Sequence, residues 1–368
     1  MKKPTVSVIM ATYNHASFVE QAIRSVLGQV DVDFEFLISD DGSADSTREV
    51  VASIKDERIK FFPNEVNRGA GVVTNELIGR SSGEFIALIN SDDYWCDTDK
   101  LAYQVKFLRD NPQVGACFGR ARFVDKDGNS MGKASDVFDQ ENRSQGAWLR
   151  RFFELGNCIC HPTMLIRKSC YDHLGMYSNR LRQLPDLEMW IRLVKHYPLH
   201  ISDRELITFR LMPGENASSQ TVSNSIRTMN EHYLIADEFF DDVTAKQLED
   251  GFSDLIKFKA ITSDVHLDIE KALLYWNYNQ WLGKPYQLIG MLKLNKLLNS
   301  SAHQKVIVED YGMDDRWFQK ELGGDRCASS KSRCGDESTE IKSSRGLAAG
   351  IVQTLPFLNV RERVFDVY

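Results

Sequence analysis

Through the first 120 residues, short apolar runs alternate with amphipathic stretches. Residues 6–10 (VSVIM) form a strand-like run, and Phe18, Ala22, Ile23, Val26 and Leu27 follow at helical spacing, with Asn14 and Ser17 placed to cap. Residues 34–38, 59–62 and 85–89 repeat the strand pattern. Between and after them, Val50, Val51 and Ile54, then 72–78, then Leu101, Val105 and Leu108 mark helices, the last stopped by Asn111-Pro112. Strands alternating with helices of this length predict a mostly parallel sheet with right-handed crossovers. From 114 to 210 the pattern is mixed. Strands are predicted at 114–118, 163–166 and 206–210, a short helix at 187–194, and a polar connection at 125–145. From 224 to about 320 apolar residues recur at helical spacing, as in Leu255, Phe258 and Ile261, or Leu288, Met291 and Leu292. The stretch 323–346, rich in Ser, Gly and charge, reads as a flexible linker, and 347–360 as a small apolar island with basic flanks. The predicted organisation is an α/β domain over 1–215, a helical region over 216–322, a linker over 323–346 and a short apolar tail over 347–368.

Two of the strand-like runs lead straight into carboxylates. Residues 34–38 continue into Ser39-Asp40-Asp41-Gly42-Ser43, and 85–89 into Asn90-Ser91-Asp92-Asp93. A parallel strand presents its ligand-facing groups at its carboxyl end, where an open α/β sheet leaves a crevice. Carboxylates placed there are costly to bury alone and need hydrogen bonds, a metal or water. Each cluster taken singly is better explained as a turn with an N-cap. Both together, in one α/β half, suit a phosphate-bearing ligand held through a divalent cation, and so an enzyme acting on a nucleotide-activated molecule.

Composition narrows the classes. A net charge of −7 argues against general nucleic-acid binding. No apolar stretch reaches the ~18–20 residues of a spanning helix. Met1-Lys2-Lys3-Pro4-Thr5 runs directly into the first strand, so no signal peptide is expected. The seven cysteines are scattered, and Cys158-Ile159-Cys160-His161 has no second Cys/His pair at ligand spacing. Reduced packing thiols, and hence the cytoplasm, are expected.

In order along the chain, residues 6–14 (VSVIMATYN), 25–29 (SVLGQ), Asp40-Asp41-Gly42-Ser43, Gly83-Glu84-Phe85-Ile86 and Ser91-Asp92-Asp93 resemble a family 2 glycosyltransferase of bacterial polysaccharide type. The likeness covers roughly residues 4–215. It implies an α/β, GT-A fold: a Rossmann-like nucleotide-sugar-binding mixed sheet with helices on both faces, here followed by a C-terminal helical region. It also implies an inverting hexosyl- or N-acetylhexosaminyl-transferase using Mg or Mn. The implied donor is a nucleoside-diphosphate sugar, UDP being preferred over GDP, and the implied acceptor a growing glycan or lipid-linked saccharide. Carried over by motif, Thr12, Tyr13 and Asp41 hold the base and nucleoside. Asn90 and Asp92 lie by the ribose and phosphates, and Asp93 is the main metal ligand with Asp92 beside it. Asn90 stands where the family often has Asp, and Thr74 where many members have Arg. Arg68 is then either a phosphate partner or a solvated loop residue.

Inversion by direct displacement needs one carboxylate to take the acceptor's proton. The family's base matches Asp186 in Leu184-Pro185-Asp186-Leu187-Glu188-Met189-Trp190, with Pro185 in place of a preceding acid and Glu188 in the second acidic slot. Without the resemblance, Asp186 reads as an N-cap favoured by the helix dipole. Trp190 reads as core, and His161 as a loop histidine or an acceptor contact. Arg210 either meets an acceptor phosphate or pairs with an acid. Lys284, Lys293 and Lys296 among leucines suit a helix packed with its lysines in solvent, or a peripheral contact at the inner face of the cell membrane. Two rival classes stay open: a non-catalytic nucleotide-sugar or glycan-binding module, and another metal-dependent nucleotidyl or phosphoryl enzyme. The presence of Asp41, Asp92, Asp93 and Asp186 together disfavours the first. The absence of a Lys-bearing Gly-rich phosphate loop disfavours the second.

Overall fold

The strands are β1 (Val6–Thr12), β2 (Phe34–Asp40), β3 (Ile59–Pro63), β4 (Phe85–Leu88), β5 (Tyr94–Trp95), β6 (Ala116–Val124), β7 (Leu165–Arg167) and β8 (Leu199–Arg210). The helices are α1 (Val19–Leu27), α2 (Thr47–Ser53), α3 (Ala70–Arg80), α4 (Lys100–Asp110), α5 (Gln145–Leu155), α6 (Lys168–Leu174), α7 (Pro185–His196), α8 (Val222–Glu238), α9 (Ala245–Phe252), α10 (Asp264–Asn277), α11 (Gly283–Leu298), α12 (Ser301–Tyr311) and α13 (Asp315–Leu322). This computed structural model describes residues 3–323, apart from 133–135, 215, 217, 218, 220 and 281. The linker and apolar tail expected beyond 323 lie outside the described residues.

All eight strands form one sheet in the order β3-β2-β1-β4-β7-β6-β8-β5. β1 to β4 are mutually parallel, as the strand–helix alternation predicts, and every residue of β2 and β4 is buried. β7 then runs antiparallel to β4 and β6, β8 parallel to β6, and β5 antiparallel to β8, so the sheet is mixed. Register aligns the carboxyl ends on one edge: Thr12 lies opposite Asp40, and Ile9 opposite Leu88, two residues before Asn90. At the opposite edge the Glu35 carboxylate ties three strands. It accepts from Ser7 Oγ at 2.6 Å, from Ser82 N and Oγ at 2.7 Å, and from Lys60 Nζ at 2.5 Å. Gly83 follows Ser82 because a Cβ there would stand 2.5 Å from Ser7 N.

The second half of the sheet departs from the expectation in identifiable ways. β8 begins at Leu199, not 206, because its middle, Asp203-Arg204-Glu205, is charged and hides the alternation. Those charges pair sideways, Arg122 with Glu205 at 2.6 Å and Arg204 with Asp97 at 2.7 Å. In place of a strand from 163, Pro162 cannot donate to a ladder, and His161–Thr163 forms a 3-10 turn before β7. Within 125–145 no helix is predicted, yet α5 starts at Gln145 with Ser144 Oγ capping Ala147 N. β5 and α6 are too short to announce themselves by periodicity.

The described residues divide into two units, 3–235 and 236–323, with the division falling inside α8. In the second unit Ile269, Ala272 and Trp276 of α10 pack with Leu294 and Ile307 to form its core. On α11 Leu288 and Leu292 are exposed, while Lys293 reaches the Asp237 carbonyl at 2.7 Å. Among the described residues no helix is long and apolar enough to cross a membrane.

The Glu35 knot has a pH signature. Burial would raise this carboxyl, but Lys60, Ser7 and Ser82 together hold it down to about 2, below its ordinary 4.5. A depressed folded-state pKa contributes stability that is complete above the unfolded value and lost as pH falls through the folded one. Urea unfolding of the native chain should therefore weaken from about pH 4.5 toward pH 2, and Glu35→Gln should flatten that part of the dependence. Parallel curves for the two proteins would contradict the assignment.

Candidate functional site

The loops after β1, β2 and β4 are sewn together by short polar side chains. Asn14, held at φ 54°, takes a left-handed conformation that Asn tolerates. Its N–H donates to Ser43 Oγ at 2.9 Å, and its Oδ1 accepts from Ala44 N at 2.8 Å. His15 N donates to Thr47 Oγ1 at 2.8 Å, and its Nδ1 lies 2.7 Å from Ser91 Oγ. Asp40 is buried and bonds Ser43 N and Oγ, with Arg48 Nε at 3.4 Å. Gly42 has φ 76°, and a Cβ there would meet Asn67 N and Val66 C at 2.7 Å. Only glycine fits a turn so closely covered.

The residues singled out from the sequence fall into two groups. Asp41 is 3% exposed, and its carboxylate accepts from Arg68 N at 2.9 Å, Gly69 N at 2.8 Å and Asn64 Nδ2 at 3.3 Å. It therefore anchors the start of α3. Asp93, 2% exposed, accepts from Arg210 N at 2.8 Å on Oδ1 and from Asn90 Nδ2 at 3.0 Å on Oδ2. Burial first, then the charge of Asp92, push its pKa well above the usual carboxylate range. Asp93 thus joins the end of β4 to the end of β8, and neither oxygen is left unbonded.

The second group is less tightly bonded. Among the described residues the Thr12 hydroxyl is buried without a hydrogen-bond partner, and Tyr13 beside it is 45% exposed. Asp92 is partly exposed, and its Oδ2 meets Asn216 Nδ2 at 3.2 Å, while its Oδ1 has no hydrogen bond among the described residues. Arg68 pairs its guanidinium with Glu76, one contact at 3.0 Å. Arg210 is buried among Asp92 O, Lys126 O and Gln21 Oε1, over the Phe18 ring. Neither arginine stands unpaired toward a phosphate.

Asp186 lies in the first turn of α7. Its Oδ2 accepts from Asn157 Nδ2 at 2.6 Å and its Oδ1 from Leu187 N at 2.9 Å. Burial pushes the carboxyl up to about 6, against those two donors, and the charge of Glu231 adds to the rise. The link to the acidic edge is Cys160, a buried thiol raised by burial and by the charges of both Asp93 and Asp186. Both carboxylates thus act electrostatically on the Cys160 thiol. The 3-10 turn that follows Cys160 packs against β4, β6 and β8. There His161 Nε2 meets Tyr177 OH at 2.8 Å and its ring meets Trp190 edge-on, while burial lowers it to about 4. Trp190 is fully buried core. Sequence reasoning missed His15, Asn157, Asn216 and Glu231. Each acts through a partner distant in the chain, and no local pattern marks it.

Residues 7–174 match the family described as Glycosyl transferase family 2. The chain is 31% identical over 195 residues to the putative teichuronic acid biosynthesis glycosyltransferase TuaG of Bacillus subtilis, covering 52% of this chain and 73% of that one. It is 40% identical over 106 residues to the UDP-Glc:alpha-D-GlcNAc-diphosphoundecaprenol beta-1,3-glucosyltransferase WfgD of Escherichia coli, covering 29% of this chain and 42% of that one. Among solved structures, S. aureus TarS 1-349 in complex with UDP-GlcNAc superposes with a TM-score of 0.53 at 18% identity, covering 80% of each chain, a likeness of fold.

The anchoring role of Asp41 separates it from its neighbour Tyr13. Asp41→Asn keeps one acceptor oxygen and turns an amide against a backbone N–H, so urea unfolding should show a loss of about 1–3 kcal/mol. Tyr13→Ala, at an exposed position, should stay within about 0.5 kcal/mol of the native protein. Equal stabilities for the three proteins would remove Asp41 from the framework.

Proposed function

Because this chain belongs to glycosyl transferase family 2 and carries the GT-A fold, we propose that it transfers a sugar, with inversion, from a UDP-sugar to a hydroxyl of a growing glycan or lipid-linked saccharide. The observation that carries this reading is the state of Asp186. A carboxyl raised to about 6 is still ionised at neutral pH and is a stronger proton acceptor than an ordinary aspartate. Its charge and that of Asp93 both act on the Cys160 thiol.

In this reading the exposed Tyr13 ring covers the base and the unpartnered Thr12 hydroxyl bonds the nucleoside. Asp41 has three donors against about four acceptor positions on a carboxylate, so one lone pair remains for a base N–H. Asn90 and Asp92 lie by the ribose and phosphates. Magnesium or manganese takes one or two protein carboxylates with water and phosphate oxygens completing the shell. Asp92, with Oδ1 unbonded, fits that demand; no group of three His, Cys, Asp or Glu able to hold a metal occurs among the described residues. Asp92 is accordingly proposed as the protein's ligand and Asp93 as its support, reversing the order the motif implied. Such an ion supplies the positive charge that stabilises a departing diphosphate. Asp186 accepts the acceptor's hydroxyl proton as its oxygen attacks the anomeric carbon. WfgD, which by its name takes UDP-Glc to a diphosphoundecaprenol-linked sugar, supports the reading of a UDP donor and a lipid-linked acceptor.

Three outcomes test this. Asp186→Asn should lower turnover about 10²–10⁴-fold while leaving UDP binding intact. Native turnover should fall as pH drops through about 6, since the base must be ionised. Asp92→Ala should abolish the Mg- or Mn-dependent part of UDP binding in calorimetric titration. Near-normal turnover of Asp186→Asn would remove it as base, and an unchanged titration would remove Asp92 as ligand.

A further inference from the structure

We propose that Glu231, on α8, is a positioning residue for Asp186: it clamps the turn that delivers the base to the cleft. The inference rests on Asp186 being the base. Glu231 is 4% exposed, yet no lysine or arginine neutralises it within hydrogen-bonding reach among the described residues. Its Oε1 accepts from Arg182 N at 2.8 Å, and its Oε2 from Gln183 N and Leu184 N, both at 2.8 Å. Three successive backbone N–H groups converge on one carboxylate, an anion-binding arrangement filled from another part of the chain. A buried carboxylate demands such donors, and a turn so held has little freedom.

The clamped turn leads directly into α7. Leu184 stands at the N-cap and has no side chain to cap with. Pro185 follows with φ fixed and no N–H to satisfy, and Asp186 comes next. Holding 182–184 therefore sets where the base begins, with only one rigid residue between. Asn157 fixes the carboxylate from its other side. The charge of Glu231 also raises the Asp186 carboxyl. Cys160 and Tyr177 also feel Asp186, and both are pushed up by burial and so neutral at ordinary pH. On α7 itself, Glu188 is paired with Arg192 at 2.5 Å.

The test measures kcat, KM and the acid limb of the pH profile for UDP release from UDP-glucose and UDP-N-acetylglucosamine, with UDP titration as a check on donor binding. Glu231→Gln should lower kcat about ten-fold or more, the scale of a displaced catalytic group. Donor KM and UDP binding should be unchanged. Its acid limb should move to lower pH, because the charge opposing ionisation of Asp186 is gone. Glu231→Asp, which keeps the charge but shortens the reach, should lower kcat with the limb unmoved, and it carries the test if Glu231→Gln does not fold. A purely architectural residue would lower thermal stability without shifting the limb. An inactive Asp186→Asn beside a Glu231→Gln of native kcat and native limb overturns this inference alone. A fully active Asp186→Asn overturns the base assignment and this inference with it.

Discussion

A carboxylate cannot be buried without donors, and that constraint organises the cleft edge of this protein. Asp41 and Asp93 are almost fully buried, and each is satisfied by N–H groups from segments remote in the chain. In meeting that demand, Asp41 fixes the start of α3 against the end of β2, and Asp93 fixes the end of β8 against the end of β4. The parallel half of the sheet and the mixed half are thereby locked where their strand ends meet. Glu35 repeats the device at the opposite edge, where it holds β1, β2 and the turn before β4 in register.

That division of labour explains which acids are free for chemistry. Asp92, partly exposed, keeps one carboxylate oxygen without a hydrogen bond among the described residues. Asp186 is held from two sides yet has its proton affinity raised by burial, the property a proton acceptor near neutral pH requires. Of the two adjacent aspartates, Asp92 is partly exposed and Asp93 is buried.

Much of this was legible in the sequence because it is local. Apolar runs revealed β1 to β4, Asp-Asp turns after two of them revealed the edge that carries the acidic clusters, and 3.6-residue spacing revealed helices beyond 224, although Leu255, Phe258 and Ile261 fall in the non-helical chain between α9 and α10. What stayed hidden depends on distance in the chain. Glu231 is 45 residues from Asp186 and sits in an unremarkable helix, and Asn157 lies in a loop without motif. Which of Asp92 and Asp93 is buried is likewise not disclosed by two adjacent residues of one type. β8 was half missed because its charged centre pairs laterally with β6 and the loop at Asp97. α5 was missed although Trp148, Leu149, Phe152 and Phe153 with a Ser144 cap carry the full helical signal.

The central claim is that one base on the acceptor side drives a single displacement at the anomeric carbon. The most direct measurement is proton NMR of the sugar first released from an α-linked UDP-sugar when water stands in for the acceptor, read before mutarotation. The account predicts the β-anomer as first product. The α-anomer as first product would contradict it.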